Sequence, residues 1–276
     1  MRKLRKFYET YRRHWQKLLR NTRLQIFNTT IEIRIFAHCI IKYAITALMD
    51  LEKQLSDIDN IGNDHVGSST KTPLRNDAFD LSDIEKIASI KKDVQNIMQT
   101  LGLDLTDDSL KGTPNRVAKM FVQEIFGGLH PERKPKASTF ENKYKYGEML
   151  VEKNITLYST CEHHLLPIVG KAHIAYISNG TVVGLSKMNR IVDYYAKRPQ
   201  VQERLTMQIV KELQGVLKTD DVACVIDAKH LCVNSRGIRD IDSSTVTSEY
   251  GGKFKDAETR RDFLDYIQLN TDFEGV

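Results

Sequence analysis

Cysteine is scarce: Cys39, Cys161, Cys224 and Cys232 are the four thiols in 276 residues. That is too few for a disulfide scaffold, and it suits a reducing compartment where thiols act as ligands or core fillers. Long apolar runs are missing as well. A spanning helix needs roughly 18 or more apolar residues, and the nearest run, "IFAHCIIKYAITALM" at 35–49, is broken by His38 and Lys42. The mixed sequence ahead of that run argues against a secretory signal. Two catalytic signatures are also lacking. There is no H-E-x-x-H, which removes the zincin class, and no G-x-x-x-x-G-K-[ST], which removes the P-loop nucleotidases. Evenly spread basic charge is the last absence. The formal charge is +5, but residues 1–48 hold eleven Lys or Arg against two Glu, which leaves 30 basic and 34 acidic residues in the remainder. A basic face on the folded domain, which a nucleic-acid partner would require, therefore loses its main support. No nucleic-acid partner and no membrane span are expected, and a cytoplasmic location fits.

What is present is ordinary for a globular protein: 41% hydrophobic and 28% charged residues, in a chain long enough for one large domain or two small ones. Residues 1–48 read as a basic extension that the rest does not need. A surface or nucleic-acid tether and a targeting segment are competing readings, and Met49 opens a different, acidic stretch. Residues 49–80 are polar, with Gly and Ser and no periodicity after 56, and read as a linker. Organised structure is expected over 81–272. In "LSDIEKIASIKKDVQNIMQTLGL" Ile84, Ile87, Ile90, Val94 and Ile97 recur at helical spacing behind a Ser82 cap. "GTPNRVAKMFVQEIFGGL" reads as a second helix, capped by Thr113 and ended by Gly127-Gly128.

From about residue 150 the pattern turns to strands: "NITLYST", "KAHIAYI" and "TVVGL". Two helices follow, one from a Ser186 cap to Pro199 and one over "VQERLTMQIVKELQGVLK". Then come strands in "DVACVIDAKHLCV" and "SSTVTSEYGG", and a last helix in "DAETRRDFLDYIQL". The order predicts an α+β fold, an antiparallel sheet with helices on one side.

The chemistry concentrates in "YSTCEHH". Cys161 and His164 have C-x-x-H spacing, which lets two side chains reach one ion from a turn after a strand. The missing partners are sought in "KHLCVNSRGIRD", where His230 and Cys232, read as a strand, face the same side. Four protein ligands would close the site as a structural one, and three would leave a position open for catalysis. Neighbouring His163 and His164 point in different directions, so one binds metal and the other is left for a substrate. Cys224, within "VACVIDA", reads as a core thiol, and His173 as structural.

Several long stretches together resemble type I GTP cyclohydrolases: "GTPNRVAKMFVQEIFGGLHPE", "STCEHHLLPIVGKAHIAYI", "VGLSKMNRIVDYYAKRPQVQERLTMQI" and "DAKHLCVNSRGIRD", in order across about 82–268. The resemblance implies a tunnelling fold, in which two helices pack on one face of an antiparallel sheet behind N-terminal helices. It implies a toroidal homodecamer with sites between subunits, and hydrolysis of GTP to 7,8-dihydroneopterin triphosphate and formate. It also implies zinc held by Cys161, His164 and Cys232, which makes His230 a non-ligand. His163 and His230 fall at the reacting ring and Glu203 at the guanine edge. Ser186, Lys187, Arg190, Arg236 and Arg116 fall on the rest of the substrate, its triphosphate above all.

These residue types suit that chemistry. Water adding to C8 of guanine is a poor nucleophile meeting a poor electrophile, and zinc lowers the pKa of water from about 15.7 to about 7. An imidazole near N7 can give and take back a proton. A carboxylate at the N1 and 2-amino edge selects guanine over adenine. Lys187 and Arg190, three residues apart at a helix start, and the planar fork of Arg236 suit phosphate oxygens.

Overall fold

A computed structural model describes residues 40–54 and 69–270. The chain divides into two compact units, 1–67 and 68–276. In the first, a helix (α1) runs over 40–54, across position 49, with its side chains exposed. No helix among the described residues is long and apolar enough to cross a membrane.

The second unit opens with α2 (Asp83–Thr100). Its Ser82 cap forms a capping box with Glu85, as the sequence predicts. The next helix, α3 (Thr113–Lys119), differs at its start. Gly112 occupies the cap position, and Thr113 lies inside the helix with its N–H donated to Leu110 O. Residues 120–125 continue as a π-helical turn, ending just before Gly127-Gly128.

The five-stranded sheet is assembled from β2 (Met149–Cys161), β3 (Pro167–Ile177), β5 (Pro199–Gln200), β6 (Val222–His230) and β7 (Thr245–Tyr250). Its order is β5-β2-β3-β6-β7, antiparallel throughout except for the two-residue parallel pairing of β5 with β2. Two further strands, β1 (Thr139–Glu141) and β4 (Thr181–Val183), form a separate pair. Gly170 is required in β3: a Cβ there would come within 2.1 Å of Asp227 O on β6.

Alternation along β3 and β6 sends side chains to both faces. One face carries Ile174, Tyr176, Cys224 and Ile226, packed with Met188, Ile191, Leu205, Ile209 and Leu213 from α4 (Leu185–Ala196) and α5 (Gln202–Leu217). This is the expected α+β layer of two helices on a sheet. The opposite face carries Ala175, Ile177, Ala223 and Val225 under Phe254 and Phe263, the latter from α7 (Ala257–Gln268), so the last helix covers the other side. Cys224 is fully buried in the main core, as expected of a core thiol.

Two further local expectations need correction. The cap of α4 is Gly184, whose extended backbone leads into the helix, and Ser186 lies within the first turn with no capping bond. The strand that was to carry both His230 and Cys232 ends at His230. Cys232 sits on a single helical turn, α6 (Leu231–Asn234), so the two side chains are not related by strand alternation.

Candidate metal centre

The sheet topology brings strand ends together. β2 finishes at Cys161, β3 begins at Pro167, β6 finishes at His230 and β7 begins at Thr245, all at one end of the sheet. The tight turn between β2 and β3 is closed twice: Cys161 N–H donates to Leu166 O, and Leu165 N–H donates to Cys161 O. Leu165 adopts a left-handed backbone, φ 53°, to complete it. That conformation costs a branched residue about 1 kcal/mol or more. From the far side, Glu162 N–H donates to Gln200 O on β5.

Within this frame the ligand atoms of Cys161, His164 and Cys232 lie within 4.8 Å of one another. Zn–S bonds of about 2.3 Å and Zn–N bonds of about 2.0 Å in a tetrahedron put ligand atoms roughly 3.5–4 Å apart. One ion therefore fits with small side-chain adjustment. Cys161 is buried, Cys232 half-buried and His164 exposed, so the trio is rooted in the core on its sulfur side and open on its imidazole side. Burial and the adjacent Cys161 thiol both push the Cys232 thiol up, while Arg236 acts in the opposite direction. A cation between two thiolates removes that penalty.

The imidazoles diverge as expected. The His163 and His164 rings are 6.4 Å apart and inclined at 78°. His163 is exposed and its Nδ1 lies 3.8 Å from Cys161 Sγ.

His230 is held by a residue that sequence reasoning did not single out. Gln202, buried at the start of α5, donates from Nε2 to Ile226 O at 3.0 Å and Thr245 O at 2.8 Å. Both amide hydrogens are thereby used, so its Oε1 is the acceptor for His230 Nε2 at 2.8 Å. His230 therefore carries a hydrogen on Nε2, and Nδ1 is the ring atom left to exchange a proton. Burial lowers the His230 pKa, and the nearby Glu203 carboxylate opposes that shift.

The first turn of α5 thus presents three successive side chains about 100° apart: Gln202 toward His230, Glu203 exposed, and Arg204 buried against Glu162. Nothing in a single sequence marks Gln202 or Arg204, because both acquire their partners only when α5 docks against the strand ends.

The predicted anion-binding residues fall into two groups. Arg236, exposed in the loop after α6, is close enough to Cys232 to act on it electrostatically. Ser186, Lys187 and Arg190 lie elsewhere. The C-terminal end of α4 meets the metal end of the sheet, where Ser159 Oγ donates to Ala196 O. Ser186 is ten residues back along the helix, about 15 Å at 1.5 Å per residue. Arg190 instead lines a small surface cleft with Gly127, Arg133 and Lys197. Arg116, on α3, is exposed, and its guanidinium folds back over Gly112. A single chain therefore gathers the sulfur, imidazole and carboxylate groups while leaving Ser186 and Lys187 at the opposite end of the sheet.

The chain is similar to known proteins over most of its length. Residues 90–268 match the family described as GTP cyclohydrolase I. GTP cyclohydrolase 1 of Flavobacterium johnsoniae is 77% identical over 216 residues, which cover 78% of this chain and 97% of that protein. The enzymes of the same name from Yersinia enterocolitica and Haemophilus influenzae are 51% and 48% identical over 201 and 213 residues. Those alignments cover 72% and 77% of this chain, and 90% and 97% of the relatives. The chain belongs to the GTP cyclohydrolase I family, the zinc-dependent enzymes that convert GTP and water into 7,8-dihydroneopterin triphosphate and formate.

Proposed function

We propose that this activity is carried by Cys161, His164 and Cys232 as the zinc ligands, with His163 and His230 as proton carriers and Glu203 as the guanine-selecting carboxylate. The observation that carries the reading is the meeting of two thiols and one imidazole, from two separate segments, within 4.8 Å. Zinc held by three protein groups supplies Lewis acidity and a water acidified to near neutral pH, at a position the protein leaves open.

The chain's own residues do the rest. His230, held through Nε2–H by Gln202, acts in its protonated form, giving the Nδ1 proton to the ring nitrogen where electron density builds as C8 is attacked and leaving a neutral imidazole. His163, one residue from a ligand yet turned away from His164, serves as a second proton carrier in the later ring opening and closure. Glu203 is exposed beside His230 and accepts from guanine N1–H and the 2-amino group, a donor pair adenine lacks.

Arg236 is assigned to the triphosphate from the same chain. Ser186, Lys187, Arg190 and Arg116 are assigned to the substrate bound at a neighbouring copy. The separation along α4 supports this for Ser186 and Lys187, which lie about 15 Å and about 13 Å back from the ligand end. A toroidal homodecamer with sites between subunits satisfies that assignment. We further propose a catalytic domain of 81–272, joined through 49–80 to an extension of 1–48 that it does not need, in the cytoplasm. The family match over 90–268 lies within the proposed domain, while the compact unit begins at residue 68 and takes in 69–80 as well.

The test is to incubate the full chain with GTP and follow formate and, after oxidation, pterin fluorescence, with zinc measured on the same sample. Formate and pterin in equal amounts are expected. His230→Ala is expected to keep zinc while turnover falls about 10²- to 10⁴-fold. Loss of zinc from that variant would make His230 a ligand and overturn the assignment.

A further inference from the structure

Glu162 stands between one proposed ligand, Cys161, and His163, yet it does not join the metal group. Its carboxylate is consumed elsewhere. Arg204 donates from Nη1 to Glu162 Oε2 at 2.5 Å and from Nη2 to Glu162 Oε1 at 3.2 Å, a two-pronged pairing that engages both oxygens. The Arg204 side chain is only 4% exposed and that of Glu162 21%. A guanidinium so deeply buried persists only where its donors are matched, and removal of either partner leaves the other charge unmatched. The remaining direction is met too: Arg204 Nε donates to Ser69 O at 2.8 Å.

The same short segment is tied to the helical layer again. Gln208 Nε2 donates to Thr70 O at 2.9 Å, and Arg198 Nη1 to Thr72 Oγ1 at 3.4 Å. Residues 69–72 precede the stretch matched by the family.

We propose that Arg204 is a positioning residue for the metal turn, gripping Glu162 so that Cys161 and His164 face a common point, with the Ser69 carbonyl completing the grip. The physical need is visible in the turn itself. It contains a left-handed leucine, Leu165, and so departs from relaxed backbone geometry. Glu162 is the residue of the turn held from two sides, by Gln200 O at its N–H and by Arg204 at its carboxylate. With its rotamer and peptide plane set, the residues on either side of it have their directions set as well. The lead-in 69–72 then belongs to the support of the site.

The inference rests on the reading of Cys161, His164 and Cys232 as zinc ligands, and its test separates the two. Full-length protein is loaded with zinc, and release to a chromophoric chelator is timed. The absorption spectrum of the cobalt(II)-substituted protein is recorded alongside. Arg204→Met should speed zinc release about 10- to 100-fold, the usual effect of losing an outer partner, and should alter the cobalt spectrum. Arg204→Lys, which keeps the charge without the fork, should fall between. Glu162→Gln keeps the size of the side chain and decides the matter if Arg204→Met does not fold; it too should speed release. The Arg204→Met, Glu162→Gln double variant should release zinc about as fast as the faster single variant, well below the product of the two effects, as for two residues acting as one unit. Wild-type release rates and an unchanged cobalt spectrum in both single variants would overturn the proposal. Wild-type protein that takes up no zinc would instead overturn the ligand reading.

Discussion

The two ends of the five-stranded sheet differ in kind. At one end, four strand ends and the first turn of α5 bring Cys161, His164, Cys232, His230, Gln202, Glu203 and Arg204 together, with His230 held by Gln202 and Arg204 paired with Glu162. At the other, the start of α4 presents exposed Ser186 and half-buried Lys187 on a helix capped only by Gly184. The first end is finished by folding. On the proposed reading, the second supplies donors to a substrate held by a neighbouring chain. On that reading, the bond-making groups and Arg236 come from one chain, and the remaining substrate contacts from a neighbouring one.

The strongest way to break this contrast is at the sulfurs. Cys161→Ala or Cys232→Ala should abolish both zinc binding and turnover, at least 10³-fold in rate. Cys224→Ala, buried in the same core, should keep both and cost only about 1–2 kcal/mol of stability. Zinc analysis beside a denaturation curve distinguishes them. Activity in a zinc-free Cys161→Ala preparation would remove the metal from the account.

A milder intervention tests the division between chains. Lys187→Ala should leave zinc content alone and raise KM about 10- to 100-fold, the loss of one charge-assisted contact. If sites are shared, co-assembly of Lys187→Ala chains with Cys161→Ala chains should restore, at GTP well below the raised KM, part of the activity that the first has lost and the second lacks. No restoration in demonstrably mixed oligomers would place the whole site within one chain.

The smallest expected effect concerns pH. His173 is buried in β3, and its Nδ1 accepts from Asn154 N–H at 3.3 Å, at the bulge where Asn154 takes a positive φ. Desolvation lowers its pKa; Lys171 and Lys153 add to the shift and Asp227 opposes it. The unfolded chain therefore binds this proton more readily. Stability is unaffected above the unfolded value of about 6.5, and falls as pH drops below it toward the folded value, by at most about 1.4 kcal/mol per pH unit. His173→Gln should flatten that acid slope in denaturation midpoints measured between pH 7.5 and 5.5. An unchanged slope would show that the proton is taken up elsewhere.

Much of this arrangement is legible in the residues. Periodic isoleucines announce α2, alternation announces β2, β3, β6 and β7, and C-x-x-H spacing announces two of the three residues of the metal group. What escapes depends on context. β-Prone "HLCV" reads as a continuing strand, but one helical turn is too short to show periodicity, so α6 and the placement of Cys232 on it are invisible. Thr113 and Ser186 look like caps, yet the flanking glycines take those positions and draw both residues into the first turn. β4 is legible in "TVVGL", but its partner β1 and the two-residue β5 exist only through distant partners. Gln202 and Arg204 are ordinary helix residues until α5 docks.

The most direct measurement is X-ray absorption at the zinc edge of the purified full chain. The account predicts two sulfur scatterers near 2.3 Å, one imidazole nitrogen, and one further light atom that changes when GTP is added. A coordination shell of four protein ligands, unaltered by GTP, would contradict it.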